Sequence, residues 1–89
     1  MRRKIEFSKS FSRKAKKFLI RNPQFKNLYR EILTVLSENP FMPSLETHKL
    51  KGELHDKYAC SFTSNLRIIF KLSANTIHLI DIGTHDEVY

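Results

Sequence analysis

The sequence predicts an α+β fold in which an N-terminal strand and an α-helical hairpin pack on an antiparallel β-sheet, in the order β-α-α-β-β-β-β. Three observations predict it. Apolar residues recur at helical spacing from Phe11 to Leu36 and at a spacing of two from residue 48 onward. Two Asn-Pro breakers, in "RNP" at 21–23 and "ENP" at 38–40, punctuate the helical half. Two polar tripeptides, "TSN" and "SAN", separate the later apolar runs at hairpin distances.

Each element has its own warrant. "KIEF", Lys4 to Phe7, alternates polar and apolar residues as a short strand does. Ser8 or Ser10 can cap a first helix whose apolar stripe is Phe11, Ala15, Phe18 and Leu19. A second helix presents Phe25, Leu28, Tyr29, Ile32, Leu33, Val35 and Leu36 on a wide apolar face. The short break between them predicts an antiparallel hairpin with its cations facing out. Phe41 to Thr47, with Pro43 inside, reads as a connecting loop. Four strands follow: "HKLKG" (48–52), "YACSF" (58–62), "LRIIFKL" (66–72) and "TIHLIDI" (76–82). Tight connections make them an antiparallel meander.

Register follows from loop length. With "TSN" as a three-residue loop, Phe62 pairs with Leu66, Cys60 with Ile68 and Ser61 with Arg67. The apolar side, from Tyr58, Cys60 and Phe62 to Leu66, Ile68, Phe70 and Leu72, is expected to meet the helices. Ser61, Arg67 and Lys71 fall on the other side. With "SAN" also three residues long, Arg67 is expected opposite Asp81.

The 89 residues leave room for one domain, 1–89, and one core, aided by seven Phe and three Tyr. A chain of this size buries only about two-thirds of its unfolded surface. Cys60, the sole cysteine, excludes an internal disulfide and a cysteine-based zinc cluster. It reads as a small core residue, in keeping with a reducing cytosol. No segment has the length of a membrane span, and the N-terminus lacks the apolar core of a signal peptide, so a soluble cytoplasmic protein without a membrane partner is expected. Charge is uneven: residues 1–30 hold eleven Lys and Arg against Glu6, a net of +10, whereas 31–89 hold five against eight acids, a net of −3. Such a field favours a polyanion or an acidic protein.

Chemistry has few places to sit. The four histidines do not cluster as metal ligands, so no metal site is expected. With Gly52 and Gly83 as the only glycines there is no phosphate loop, and there is no nucleophile elbow. What remains is His48, Lys49, Lys51, Arg67, His85 and Tyr89. A histidine can move protons near neutrality, and Arg or Lys can stabilise a pentavalent phosphorane. A tyrosine with cationic neighbours can join proton transfer. RNA supplies its own nucleophile, the 2′-hydroxyl, so this inventory fits RNA cleavage without a metal or other cofactor. Each residue also has a plainer reading. Arg67 can be a cross-strand partner of Asp81, Lys49 and Lys51 edge charges, and Tyr89 a ring closing the core. His78 suits a core edge, and His55 a solvated turn.

"HKLKGEL", "YACSFTSNLRIIFKL" and "LIDIGTHDEVY" together resemble the RelE/ParE superfamily of bacterial toxins from type II toxin–antitoxin systems, nearest its YafQ-like and RelE-like mRNA endonucleases. The likeness spans nearly the whole chain, basic hairpin included. It implies a RelE-like fold, mRNA cleavage at the ribosomal A site, and a cognate antitoxin that wraps the toxin. Operator DNA would be reached only through the antitoxin complex. The resemblance also implies roles: His48 for proton transfer or phosphate contact, Arg67 for the scissile phosphate, and His85 as general acid–base. Tyr89 would position the base or join proton transfer, and Lys49 and Lys51 would contact RNA.

Ser61 stands where YafQ-like enzymes have a second histidine, and Asn65 where they have an acid. Neither can move a proton at neutral pH, which leaves both to contact RNA. The constellation is therefore a hybrid of YafQ-like and RelE-like sites. Two other functions fit the same fold: a ParE-like non-catalytic inhibitor of DNA gyrase, and an inactive homologue that binds an antitoxin.

Overall fold

A computed structural model describes residues 2–88. Strand β1 (Lys4–Phe7) is followed by helices α1 (Lys9–Arg21) and α2 (Lys26–Glu38). Strands β2 (His48–Lys49), β3 (Tyr58–Ser61), β4 (Leu66–Leu72) and β5 (Thr76–Thr84) come next, and a short helix α3 (His85–Val88) closes the described chain. The five strands form one sheet in the order β1-β5-β4-β3-β2. This is the expected α+β architecture with one amendment: the sheet is mixed. β1 pairs with β5 in parallel, Lys4 opposite Thr76 and Phe7 opposite Leu79. A parallel pair needs a long crossover, and the helical hairpin plus the meander provides it.

Local chemistry sets the helix ends. The Ser8 hydroxyl accepts the Phe11 N–H at 3.0 Å and donates to the Ile80 carbonyl at 2.8 Å, so one side chain caps α1 and ties it to β5. At the other end both the backbone and side-chain N–H groups of Asn22 donate to the Phe18 carbonyl. Pro23 then opens a 3-10 turn, Pro23–Phe25, leading into α2. α2 ends where Asn39 donates back to Val35 and Pro40 follows.

The core lies between hairpin and sheet. Phe11, Leu36 and Leu45 meet Cys60, Phe62, Ile68, Phe70, Ile77, Leu79 and Ile82 there, all buried. Full burial of such a side chain contributes about 1.5–3 kcal/mol. Phe18, Phe25 and Tyr29 pack their rings around Phe62 at centroid distances of 5.7–6.4 Å. Burial pushes the Cys60 thiol up to about 12, so this cysteine is a packed apolar group and no nucleophile.

β3 and β4 pair as expected, Cys60 opposite Ile68 and Ser61 opposite Arg67, and Phe62 donates to the Leu66 carbonyl. β4 and β5 do not. Arg67 lies opposite Gly83, not Asp81. Two local features account for the shift. Ser73 donates to the Thr76 carbonyl, closing a two-residue turn on Ala74 and Asn75 where three residues were expected. A bulge then inserts one extra residue in β5, since Phe70 faces Leu79 while Ile69 faces Asp81. Each moves the register by one residue. Between turn and bulge the shift is one, which brings Ile77 and Leu79 opposite Leu72 and Phe70 on the helix side; past the bulge the shift of two returns Asp81 and Ile82 to their expected faces.

β2 is also shorter than 48–52, and β5 runs on past Ile82 to Thr84. Gly52, at φ +69°, takes a conformation that L side chains rarely adopt and starts a 3-10 turn, Gly52–Leu54. That turn ends the pairing of β2.

Candidate active site

Ser61, Arg67 and Gly83 form one row across β3, β4 and β5. His48, Ala59, Ile69 and Asp81 form the next. Alternation along each strand puts Cys60 and Ile68 on the helix side, so Ser61, Arg67 and His48 share the opposite face. Lys49 pairs with Tyr58 and therefore alternates to the helix side, away from His48. By strand spacing, the His48 and Arg67 backbones are roughly 12 Å apart. Lys51 follows β2 in extended conformation, and Asn65 lies in the exposed β3–β4 turn, its N–H donating to the Thr63 hydroxyl.

Arg67 is half-buried and anchored from one side. Its Nη1 donates to the carbonyls of Thr63 at 3.3 Å and Leu66 at 3.2 Å. A guanidinium has five N–H donors, so this leaves Nε and Nη2 to engage an anion. Asp81, once expected as its partner, instead accepts from Lys14 of α1 at 2.8 Å. Ser61 donates to the carboxylate of Glu46 at 3.0 Å, and Glu46 has φ 51°, a left-handed backbone seldom taken by a glutamate. The His48 Nδ1 is 3.3 Å from the Glu46 carbonyl. One strained residue thus touches both Ser61 and His48.

On the other flank, the chain leaves β5 through Thr84, paired with Leu66, and turns into α3. Thr84 donates its N–H to the Glu87 carboxylate at 2.8 Å, and Glu87 returns its own N–H to the Thr84 hydroxyl at 3.3 Å. This is a capping box, and it fixes His85 as the first residue of the turn. A Cβ on Gly83 would come within 3.1 Å of Glu87 Cβ and of Val88 Cγ1. α3 therefore folds down onto the residue that pairs with Arg67. The Thr84 backbone N–H first, then its hydroxyl, holds the Glu87 carboxyl below its ordinary value, with Lys14 nearby adding to the effect. His85 is exposed, its Nδ1 3.7 Å from Asp86. Tyr89 lies outside the described residues.

Several other titratable groups in and beside the sheet have structural partners. His78 meets Glu6 at 2.9 Å, and Asp56 receives both Lys57 and Lys71. Hydrogen bonds from Lys71 and then Lys57 hold the Asp56 carboxyl down at about 2. His55 contacts the Gly52 carbonyl at 3.1 Å. Among the described residues, no three His, Cys, Asp or Glu side chains are grouped as metal ligands. Likewise no described helix is long and apolar enough to cross a membrane.

Two clefts flank the row. One, of about 400 Å³, runs between α1 and the end of β5 and is lined by Lys14, Lys17, Arg21, Gly83 and Glu87. The other, of about 570 Å³, lies between α2 and the β3–β4 turn and reaches Glu46, Ser61 and Arg67. Sequence reasoning missed Glu46, Glu87 and Lys14. Only Glu87 left a signal, the Thr-x-x-Glu spacing of "THDE".

A family model described as a bacterial toxin of type II toxin–antitoxin systems, YafQ, matches residues 3–89. Among solved structures, a metal-bound toxin from Helicobacter pylori is 30% identical, with 100% of both chains covered and a TM-score of 0.77. The chain is 21% identical to one in the E. coli DinJ–YafQ toxin–antitoxin complex, covering 100% of this chain and 99% of that one, TM-score 0.80. A YoeB/ParE toxin from Agrobacterium tumefaciens shares the fold at 14% identity, covering 92% and 98%, TM-score 0.80. No curated protein matches.

Proposed function

The chain belongs to the YafQ family of bacterial type II toxin–antitoxin toxins, and on that premise we propose that it is an endoribonuclease that cuts mRNA without a metal. The 2′-hydroxyl of the nucleotide before the cut attacks the adjacent phosphorus. One imidazole takes its proton, the 5′-oxygen leaves with a proton from a second group, and the products are a 2′,3′-cyclic phosphate and a 5′-hydroxyl. Arg67 stabilises the phosphorane through its outward N–H groups. His85, on the Gly83 flank, is the nearer proton carrier along the chain. His48, across Ser61, is the farther one, and Tyr89 would position the base or join proton transfer. Ser61, Asn65 and Lys51 contact RNA around the cut, and Lys49, which alternates to the helix side of the edge strand, contacts it farther away.

The observation that carries this reading is the Ser61–Arg67–Gly83 row with a capped turn starting at His85. The cationic face of α1 supports it. Lys17 and Arg21 line the cleft beside Gly83 and form no ion pair with any described residue. They would hold messenger or ribosomal RNA phosphates at the A site, with salt-sensitive affinity. A cognate antitoxin is the protein partner, operator DNA being met only in its complex. The site of action is the cytoplasm.

His85→Ala is expected to lower cleavage of translated mRNA by about 10²–10⁴-fold, the range for a lost proton carrier, with melting unchanged. Mapping RNA 5′ ends during expression measures it. Cleavage that survives the substitution, or inhibition of gyrase supercoiling by purified protein, would remove this reading.

A further inference from the structure

We propose that the cleft between α2 and the β3–β4 turn is a nucleobase pocket, taking the base beside the scissile phosphate and selecting bases that carry an exocyclic amino group. The inference rests on the RNA-cleaving reading for its substrate, and on the cleft for its selectivity. Phe25, Leu28, Ile32 and Phe62 give it an apolar floor, and Glu31, Glu46, Ser61 and Arg67 a polar rim. At about 570 Å³ it falls within the size range of small-ligand sites, and an apolar floor with a few convergent polar groups is how such sites are built. Arg67 belongs both to this cleft and to the phosphate row, so a nucleotide whose phosphate meets the guanidinium has its base within reach of the cleft.

The two carboxylates decide the chemistry. In a chain of net charge +7, neither Glu31 nor Glu46 forms an ion pair with any described residue. Glu46 gives one oxygen to Ser61, and its left-handed backbone is the one positive φ outside glycine among the described residues. Strain of that kind persists only where the surroundings hold it, and it gathers at binding sites. A rim of two carboxylates repels a phosphate and accepts hydrogen bonds, so the group that fits is neutral, flat and rich in N–H donors. Guanine, adenine and cytosine each offer an amino group to a carboxylate oxygen. Uracil offers one imide N–H between two carbonyl oxygens, which would face the carboxylates without a proton between them. The pocket therefore accepts the first three and excludes uracil.

The test has a binding arm and a cleavage arm. Guanosine, adenosine, cytidine and uridine 3′-monophosphates are titrated separately into the ¹³C-methyl-labelled protein. The first three are expected to shift Leu28 and Ile32 methyl resonances with at least about tenfold tighter binding than uridine, the worth of one lost hydrogen bond. Glu31→Gln and Glu46→Gln, near-isosteric and on exposed residues, are expected to melt like wild type and to erase that ratio, since an amide can donate to uracil as well as accept. In translated reporter mRNAs that differ only in the base beside the cut, the same substitutions are expected to let cleavage through at uracil. Equal binding of all four nucleotides, or shifts confined to other surfaces, overturns the pocket. Absence of cleavage with base-selective shifts intact would sink the nuclease reading and leave the pocket standing.

Discussion

The two flanks of Arg67 are built by different means. On the β3 side, Ser61 is held by a regular antiparallel ladder, and the Glu46 that it binds sits on a turn whose Leu45 is sealed into the core. On the β5 side, the described residues past Gly83 are Thr84 and a four-residue helix, tied together by a reciprocal pair of hydrogen bonds between Thr84 and Glu87. A sheet-held group keeps its position unless the domain unfolds. A turn held by one carboxylate can be lost locally while the core stays intact. His85, the proton carrier in the proposed reaction, thus stands on the less secure flank.

That contrast can be broken most directly at Gly83. Gly83→Val would place carbon where Glu87 Cβ and Val88 Cγ1 already stand 3.1 Å from a bare Cβ. It would lift α3 from Arg67. Overpacking of this kind costs about 1–3 kcal/mol. Cleavage is expected to fall by about 10²-fold, approaching the loss from His85→Ala. Melting should drop by no more than that packing cost. A variant with wild-type cleavage would show that α3 need not lie on Gly83.

A smaller loss is expected on the sheet-held flank. The His48 backbone is roughly 12 Å from that of Arg67, with Ser61 and Ala59 of β3 intervening. His48→Ala should therefore cost about tenfold in cleavage, below the roughly 10²–10⁴-fold that a positioned proton carrier supplies. A loss larger than that of His85→Ala would reverse the ranking of the two flanks.

The same contrast explains what was legible in the sequence. β3 and β4 could be registered because a short polar turn joins two runs of clean alternation, and Ser61 fell opposite Arg67 as expected. The β4–β5 pair could not. A bulge near Ile80 leaves no mark in a run as apolar as "TIHLIDI", and "SAN" does not reveal that its serine joins the ladder. Past the bulge the faces survived because the shift there is an even number of residues, whereas Ile77 and Leu79, before it, lie on the face opposite to the one expected. The partner of Arg67 did not survive, so Asp81 went to Lys14, a residue 67 positions away that no local pattern connects to it. Lys49 was grouped with His48 by composition, although alternation alone separates them. Glu46 was invisible because its importance lies in a backbone angle. Glu87 is legible in the sequence as a cap, through the Thr-x-x-Glu spacing from Thr84, but that spacing says nothing of the neighbouring strand that the cap fastens α3 against.

A milder way to sharpen the comparison is to loosen the cap by pH. The Glu87 carboxyl is held below its ordinary value by the Thr84 N–H, so its ionised form is the one that fastens α3. A depressed carboxylate contributes fully above its unfolded value, and the contribution fades as pH falls through the folded one. The Thr84 amide, which donates to that carboxylate at 2.8 Å, reports on it directly. Its proton shift is expected to titrate with a midpoint below the usual 4.5 of a glutamate, while the amide of buried Cys60, in the β3 ladder of the opposite flank, stays still over the same range. Glu87→Gln, which keeps an acceptor and removes the charge, should abolish the titration, with a loss of cleavage smaller than that of either histidine variant. A Thr84 midpoint at or above 4.5 would mean that the carboxylate does not hold the turn, and a Cys60 amide that moves in step with Thr84 would mean that the two flanks loosen together.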